Sequence, residues 1–148
     1  MYTDKNLIYR NLSYSSKREL LEELCGNLEN AGIVSSASEF FQAIWQREEN
    51  FSTGIGRNVA IPHGKSEGVK ETKLILALLP DGIEYDSLDG LPVKIVFMFA
   101  VPRGRDKEYM ALLAKVTKFV RDESNRNKLL DAIDEEEILD QIREVINE

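Results

Sequence analysis

Two stretches of this sequence have no polar face. Residues 74–79 read LILALL, and residues 93–101 read VKIVFMFAV, broken only by Lys94. A strand with one wet side alternates apolar and polar residues, whereas a strand that is apolar throughout must be covered on both sides. Neither run approaches the ~18 apolar residues of a membrane-crossing helix. Both therefore read as central strands of a sheet with helices against each face.

The flanking sequence supplies those helices. Ser16 with Glu19, and Ser36 with Glu39, have the spacing of capping boxes. After the first, Leu20, Leu21, Leu24, Cys25, Leu28 and Ala31 repeat at helical spacing, and Gly32 is a natural stop. After the second come Phe40, Phe41, Ile44 and Trp45. Beyond the apolar runs, Asp106 is expected to cap a helix whose buried face carries Tyr109, Leu113, Val116 and Val120. A shorter helix is expected from Glu123 to Ile133. Asp134 with Glu137 caps a last one, with Ile138, Leu139, Ile142, Val145 and Ile146 inward.

Leu7 to Tyr9 and Val59 to Ile61 read as short strands. Asp81-Gly82 and Asp89-Gly90 are turn signals around a short segment near Ile83-Glu84-Tyr85, and Gly64 to Thr72 is polar enough for a surface loop. No repeat, low-complexity tract or linker interrupts the chain. Two helices, a set of strands and three helices predict a single three-layer α/β domain over residues 1–148.

Composition narrows the function. A net charge of −7 argues against nucleic acid, which needs a basic face. One cysteine, Cys25, forms no internal disulfide and falls on a helix stripe, where a buried core thiol is expected. Trp45 also reads as core. The first residues lack a signal-peptide core and no run would insert in a membrane, so a cytoplasmic location is expected. One histidine and one cysteine cannot assemble a zinc site, and no cofactor motif survives inspection. A phosphate-binding loop ending in Gly64-Lys65-Ser66 would need glycine where Val59 stands, and a dinucleotide fingerprint starting at Gly54-x-Gly56 fails at the same residue. The G-x-S-x-G elbow of hydrolases is missing. Glu48-Glu49 and Glu135-Glu136-Glu137 read as solvated helix ends.

The remaining chemistry centres on the only histidine. Val59-Ala60-Ile61 runs through Pro62 into His63, with Gly64 expected to turn the chain. An imidazole titrates near neutrality, so its free nitrogen is a nucleophile at cellular pH. Arg47 shares a helix face with Phe40 and Ile44. It either meets an anion or lays its stem on the apolar edge with its guanidinium in water. Tyr109 is near the start of its helix, where backbone N–H groups favour anions. It either donates a hydrogen bond to one or is an amphipathic core aromatic.

Residues 47–65, REENFSTGIGRNVAIPHGK, closely resemble the active-site signature of the fructose/mannitol-type (type 2) enzyme IIA domain of the bacterial phosphoenolpyruvate-dependent sugar phosphotransferase system, a domain shared with nitrogen-regulatory IIA proteins. Ser66-Glu67-Gly68-Val69-Lys70, Leu88-Asp89-Gly90-x-Pro92-Val93 and Leu112-Leu113-Ala114-Lys115 fit the same pattern, so the resemblance covers almost the whole chain. The A-[apolar]-P-H-G ending is its specific part.

The resemblance implies a mixed sheet between helical layers. It implies that His63 accepts a phosphoryl group from the phosphorylated carrier HPr and passes it to a cysteine or histidine of a IIB component. It places Arg47 beside the phosphohistidine. It also implies a second histidine in transport-type members at the position of Tyr109, which this chain lacks. A tyrosine donates a hydrogen bond but carries no positive charge. Gly54 and Gly56 are candidates for close backbone approach, Thr53 and Asn58 for polar contacts to phosphate, and Ile55 and Ile61 for a docking face. Three readings follow: a carrier in sugar uptake, a regulatory module whose phosphorylation state controls a partner protein, or a structural domain with an inert His63.

Overall fold

The two apolar runs form the paired centre of a six-stranded sheet in the computed structural model, which describes residues 1–146. Asn147 and Glu148, the end of the expected 1–148 domain, lie outside the described residues. In chain order the elements are β1 (Ile8–Tyr9), α1 (Lys17–Asn30), α2 (Ala37–Asn50), β2 (Gly54–Gly56), β3 (Val59–Ala60), β4 (His63–Ser66), β5 (Lys73–Ile83), β6 (Val93–Pro102), α3 (Asp106–Val120), α4 (Glu123–Leu130) and α5 (Glu135–Ile146). A 3₁₀ turn, Lys5–Leu7, precedes β1.

β5 and β6 pair antiparallel, with Ile75 opposite Met98 and Leu76 opposite Phe97. β1 lies parallel to β5. The other edge of β6 is shared in succession: β3 pairs with it at Ile95 and Val96, then β4 at Phe99 to Pro102, both parallel. β2 pairs antiparallel with β3. The sheet is therefore mixed.

Side-chain alternation sorts the central strands into two cores. Ile75, Ala77, Leu79, Val96, Met98 and Ala100 meet Leu20, Leu24, Leu28, Phe40 and Ile44 of α1 and α2. Leu74, Leu76, Leu78, Ile95, Phe97, Phe99 and Val101 meet Tyr109, Leu112 and Val116 of α3, Leu129 of α4, and Leu139 and Ile142 of α5. This is the expected three-layer α/β arrangement. No helix among the described residues is long and apolar enough to cross a membrane.

The local signals form as their chemistry demands. The Ser16 and Ser36 hydroxyls accept from the amides of Glu19 and Glu39. α1 ends in a Schellman motif: Gly32, at φ +75°, donates to the Glu29 carbonyl and Ile33 to that of Leu28. Asp134 accepts from the Glu137 amide at 2.9 Å while the Glu137 carboxylate accepts from the Ile133 amide at 2.9 Å. Cys25 is 1% exposed, and burial pushes its thiol up to about 12. Trp45 is half-buried against the core and stacks on Phe41 at 5.6 Å.

Several expectations are corrected. Asp106 does not cap α3; it is the first helical residue, after Arg105, and its carboxylate is drawn to Lys65. Leu112 replaces Leu113 on the buried face, because Tyr109, Leu112 and Val116 follow the 3–4 residue step that 3.6 residues per turn requires. α4 stops at Leu130, leaving Ile133 79% exposed. Asp81-Gly82 lies inside β5, not in a turn between elements. The register shifts there, Gly82 takes φ +76°, and Ile83 resumes pairing with Val93. The segment after it delivers Tyr85 to the core.

Gly64 is also not a turn residue. It sits in β4 beside Ala100, so the expected surface loop begins only after Ser66. A Cβ on Gly64 would lie 2.8 Å from Phe40 Cε1 and 3.0 Å from Ile44 Cγ1. Glycine is required so that α2 can lie directly on β4. Gly64→Ala is expected to lower unfolding free energy by about 1–3 kcal/mol through overpacking. A chemical denaturation curve coinciding with that of the parent protein would contradict this.

Candidate functional site

The close packing of α2 on one face of β4 leaves the other face to α3. Residues two apart on a strand share a face, so His63 and Lys65 point together, opposite Gly64. His63 meets Tyr109, with ring centroids 5.0 Å apart and planes tilted by 33°. Tyr109 in turn sits edge-on to Phe99 at 5.2 Å. Lys65 Nζ lies 2.6 Å from Asp106 Oδ1. Asp106 and Tyr109 are three residues apart, so one stretch of α3 receives both β4 side chains.

The imidazole is half-buried, and its Nδ1 lies 3.4 Å from the Ile61 carbonyl oxygen. A carbonyl only accepts, so this contact assigns the ring hydrogen to Nδ1 and leaves the lone pair on Nε2. Burial is the largest influence on His63 and lowers its pKa below the ordinary 6.5. The Ile61 hydrogen bond raises it, Arg47 lowers it, Glu48 raises it and Lys65 lowers it. The net direction is downward, which favours the neutral, nucleophilic ring at pH 7.

Arg47 is half-buried in the last turn of α2. Its Nη1 donates to the Phe51 carbonyl at 2.6 Å, closing the C-terminal end of the helix. A guanidinium has five N–H donors in a rigid fork, so this bond leaves capacity for an anion. Its charge is felt at both His63 and Tyr109. Burial pushes the Tyr109 phenol up to about 12, against the lowering effect of Arg47. The hydroxyl therefore stays protonated at neutral pH, and it makes no hydrogen bond among the described residues.

The other sequence candidates are placed differently. Thr53 is 2% exposed, and its amide and hydroxyl both donate to the Glu48 carboxylate, so it has no free donor for phosphate. Asn58 is a turn residue. With Arg57 it forms a two-residue hairpin between β2 and β3, both at positive φ (58° and 68°), and its Nδ2 donates to the Pro92 carbonyl at 2.7 Å. Its neighbour Val59 pairs with Ile95, whereas His63 pairs with Phe99, four register positions along β6. At about 3.3 Å per residue, Asn58 is more than ~13 Å from the imidazole strand end.

The glycines of β2 serve packing. A Cβ on Gly54 would lie 2.5 Å from Ser87 Oγ, and one on Gly56 (φ +99°) would lie 3.0 Å from Asp89 Oδ2. Ile55 and Ile61 are half-buried against the α3 and α5 side of the core. The exposed apolar side chains adjoining the site residues in sequence are Phe51 (75%), after the α2 turn that holds Arg47, and Met110 (57%), next to Tyr109.

Glu48 overturns its reading as a solvated helix end. It is 6% exposed, with Lys17 Nζ 2.8 Å away. The signal was present in the spacing: Phe41, Ile44 and Glu48 continue one inward stripe. Lys65 was passed over because a lysine beside a loop glycine usually faces water, and only the strand geometry of β4 turns it toward α3.

Known proteins share this sequence pattern and this fold. Residues 1–145 match the family model "Phosphoenolpyruvate-dependent sugar phosphotransferase system, EIIA 2". The chain belongs to that family and is an EIIA-type phosphocarrier domain. It is 33% identical over 140 residues to the fructose-specific EIIABC component of Bacillus subtilis, covering 95% of this chain but only 22% of that longer protein. It is 29% identical over 132 residues to the fructose-specific EIIA component of Haloferax volcanii, covering 89% of this chain and 86% of that one. Its fold superposes on the crystal structure of nitrogen regulatory protein IIA-Ntr from Neisseria meningitidis with a TM-score of 0.88 at 29% identity, covering 94% of each chain. It also superposes on IIA-mannitol in its complex with phosphorylated IIB-mannitol from Escherichia coli, with a TM-score of 0.82, covering 96% of this chain and 97% of that one; at 21% identity that likeness carries the fold alone.

The lowered pKa has a testable consequence. By NMR, the His63 ring should titrate below 6.5. The unfolded chain binds the proton first as pH falls, so His63's contribution to stability is full above about 6.5 and is lost as pH drops toward the folded value. A titration midpoint at or above 6.5 would contradict the burial argument.

Proposed function

We propose that this chain carries a phosphoryl group on Nε2 of His63 within the sugar phosphotransferase system, accepting it from phosphorylated HPr and passing it to a cysteine or histidine of a IIB component during sugar uptake. The observation that supports this most is the imidazole itself: Nδ1 directed at the Ile61 carbonyl, Nε2 left with its lone pair, and the ring beside Tyr109 within the field of Arg47. In this reading residues 1–148 form one cytoplasmic IIA domain that needs neither metal nor cofactor.

Phosphoryl transfer is largely positioning and stabilisation of spread negative charge, with attacking and leaving atoms in line. His63 Nε2 attacks phosphorus as the N–P bond of the donor breaks, and the pair of electrons in that bond returns to the donor ring. Nδ1 keeps its hydrogen on Ile61 throughout, so no proton has to cross the site. Arg47 meets the phosphoryl oxygens, bidentate if its fork turns fully toward them. The Tyr109 hydroxyl donates to a third oxygen where transport-type members offer an imidazole. Phe51 and Met110 supply the apolar part of a small, transient docking face, of the class burying under about 1,200 Å².

A second reading, a regulatory module read in its two phosphorylation states, is favoured by Tyr109 and by the likeness to IIA-Ntr. It shares the acceptance step and omits the IIB acceptor. Labelled phosphate that loads onto the chain but never leaves for any IIB domain would select it.

His63→Ala should abolish labelling by phosphoenolpyruvate, enzyme I and HPr while leaving the circular dichroism spectrum unchanged. Persistent labelling would reject the site, and an unlabelled parent protein would favour a structural domain. Tyr109→His should speed transfer to a IIB acceptor if a second imidazole is what this site lacks. An unchanged or slower rate would show that Tyr109 does not occupy that role.

A further inference from the structure

Glu48 is a buried charge that the transfer chemistry leaves unexplained. Its carboxylate is neutralised by Lys17, itself lying over the Tyr85 ring with Nζ 4.3 Å from the centroid. The rest of its accepting capacity is directed at one loop and one phenol. Oε1 accepts from the Thr53 amide at 2.9 Å, and Oε2 accepts from the Thr53 hydroxyl and from the Tyr85 hydroxyl at 3.2 Å. A desolvated carboxylate is retained only where such bonds compensate it. Here they pin Thr53 by both of its donors.

Thr53 is bonded on its other side as well. Its carbonyl accepts from the Ile61 amide at 3.0 Å, and the Ile61 carbonyl is the oxygen that faces His63 Nδ1 at 3.4 Å. Ile61 lies between β3 and β4, outside the ladder of either strand. Thr53 therefore anchors the Ile61 amide, on the other side of the Ile61 Cα from the carbonyl that faces His63, and Glu48 anchors Thr53. Four groups stand in series from a fixed charge to the imidazole. The amide and carbonyl of Thr53 belong to different peptide groups, as do those of Ile61, so the series acts by fixing positions and not by polarising the last acceptor. Only an acceptor-only group with two oxygens can take the Thr53 amide, the Thr53 hydroxyl and the Tyr85 hydroxyl together.

We infer that Glu48 is a positioning residue: acting through Thr53 and Ile61, it holds the ring hydrogen of His63 on Nδ1 and so keeps the Nε2 lone pair presented to phosphorus. The inference rests on the carrier reading of His63 and adds the group that sets its tautomer. Glu48 touches no reacting atom.

The test uses the full chain, ¹⁵N-labelled and unphosphorylated, at neutral pH. Long-range ¹H–¹⁵N correlations report which ring nitrogen of His63 bears hydrogen. The parent protein should show the Nδ1–H form. Glu48→Gln keeps the shape and one acceptor but puts an NH₂ where a hydroxyl donor points. The Nε2–H form should then become a major population. Turnover of phosphoryl transfer from HPr should fall about ten- to a hundredfold, the usual cost of losing a partner that orients a reacting group, with KM for phosphorylated HPr little changed. Tyr85→Phe removes a donor from Glu48 and a 3.1 Å contact of the Thr53 hydroxyl, but leaves both Thr53 bonds to Glu48 in place. It should lower the melting temperature without moving the tautomer.

An Nε2–H ring in the parent protein overturns the inference, as does an unchanged tautomer in folded Glu48→Gln or an equal shift in Tyr85→Phe. Should Glu48→Gln not fold, Glu48→Asp, which keeps the charge but draws the carboxylate back from both Thr53 donors, is read by the same spectrum and the same criterion. The tautomer is measured without any phosphoryl donor. A tautomer shift in a chain that HPr never phosphorylates would reject the carrier reading and the catalytic half of this inference, but not the hold of Glu48 on the ring.

Discussion

The site depends on one constraint, that β6 is covered on both faces and paired along both edges. Its β5 edge is closed by a continuous antiparallel ladder, and its other edge is divided between β3 and β4. A strand docked there acquires two different neighbours, α2 on one side and α3 on the other. β4 uses that alternation directly. Gly64 yields its face to Phe40 and Ile44, and His63 and Lys65 are turned to Tyr109 and Asp106. Without the close approach of α2, the helix that carries Arg47 would stand off from the imidazole, and the two would share no field.

The electrostatics follow from this placement. Burial and two cations, Arg47 and Lys65, favour a neutral ring, while Glu48 and the Ile61 carbonyl oppose them. Each cation already has a local acceptor, Arg47 the Phe51 carbonyl and Lys65 the Asp106 carboxylate. The resting site is thus locally balanced around an imidazole whose neutral form is favoured. On the carrier reading proposed above, an arriving phosphoryl group brings the negative charge that Arg47 and Lys65 are placed to meet.

Much of this was legible in the letters. The unbroken apolar runs dictated a doubly covered sheet, the two S-x-x-E boxes and the Asp134/Glu137 pair marked helix starts, and the signature around the lone histidine marked the family and the candidate site. What failed were residues whose role depends on a neighbour distant in sequence. Gly64 looks like a turn until α2 is seen to rest on it. Gly82 looks like a turn but lies in an irregularity within β5, where the register against β6 shifts between Leu78 and Ile83. Thr53 and Asn58 look like phosphate ligands because they adjoin the signature, yet one is tied to Glu48 and the other serves a hairpin. Glu48 was misread although it lies on the apolar stripe, because an acidic pair at a helix end is ordinarily solvated.

The sequence by itself determined the layer architecture, most of the helix starts and a single candidate imidazole, because periodicity and capping are local and the chain has one histidine. Only the tertiary structure decided which ring nitrogen is free, what the arginine and the buried carboxylate do, and that Tyr109 meets His63. Those facts arise where β4, α2 and α3 converge, from hydrogen-bond partners and fields that no local pattern encodes.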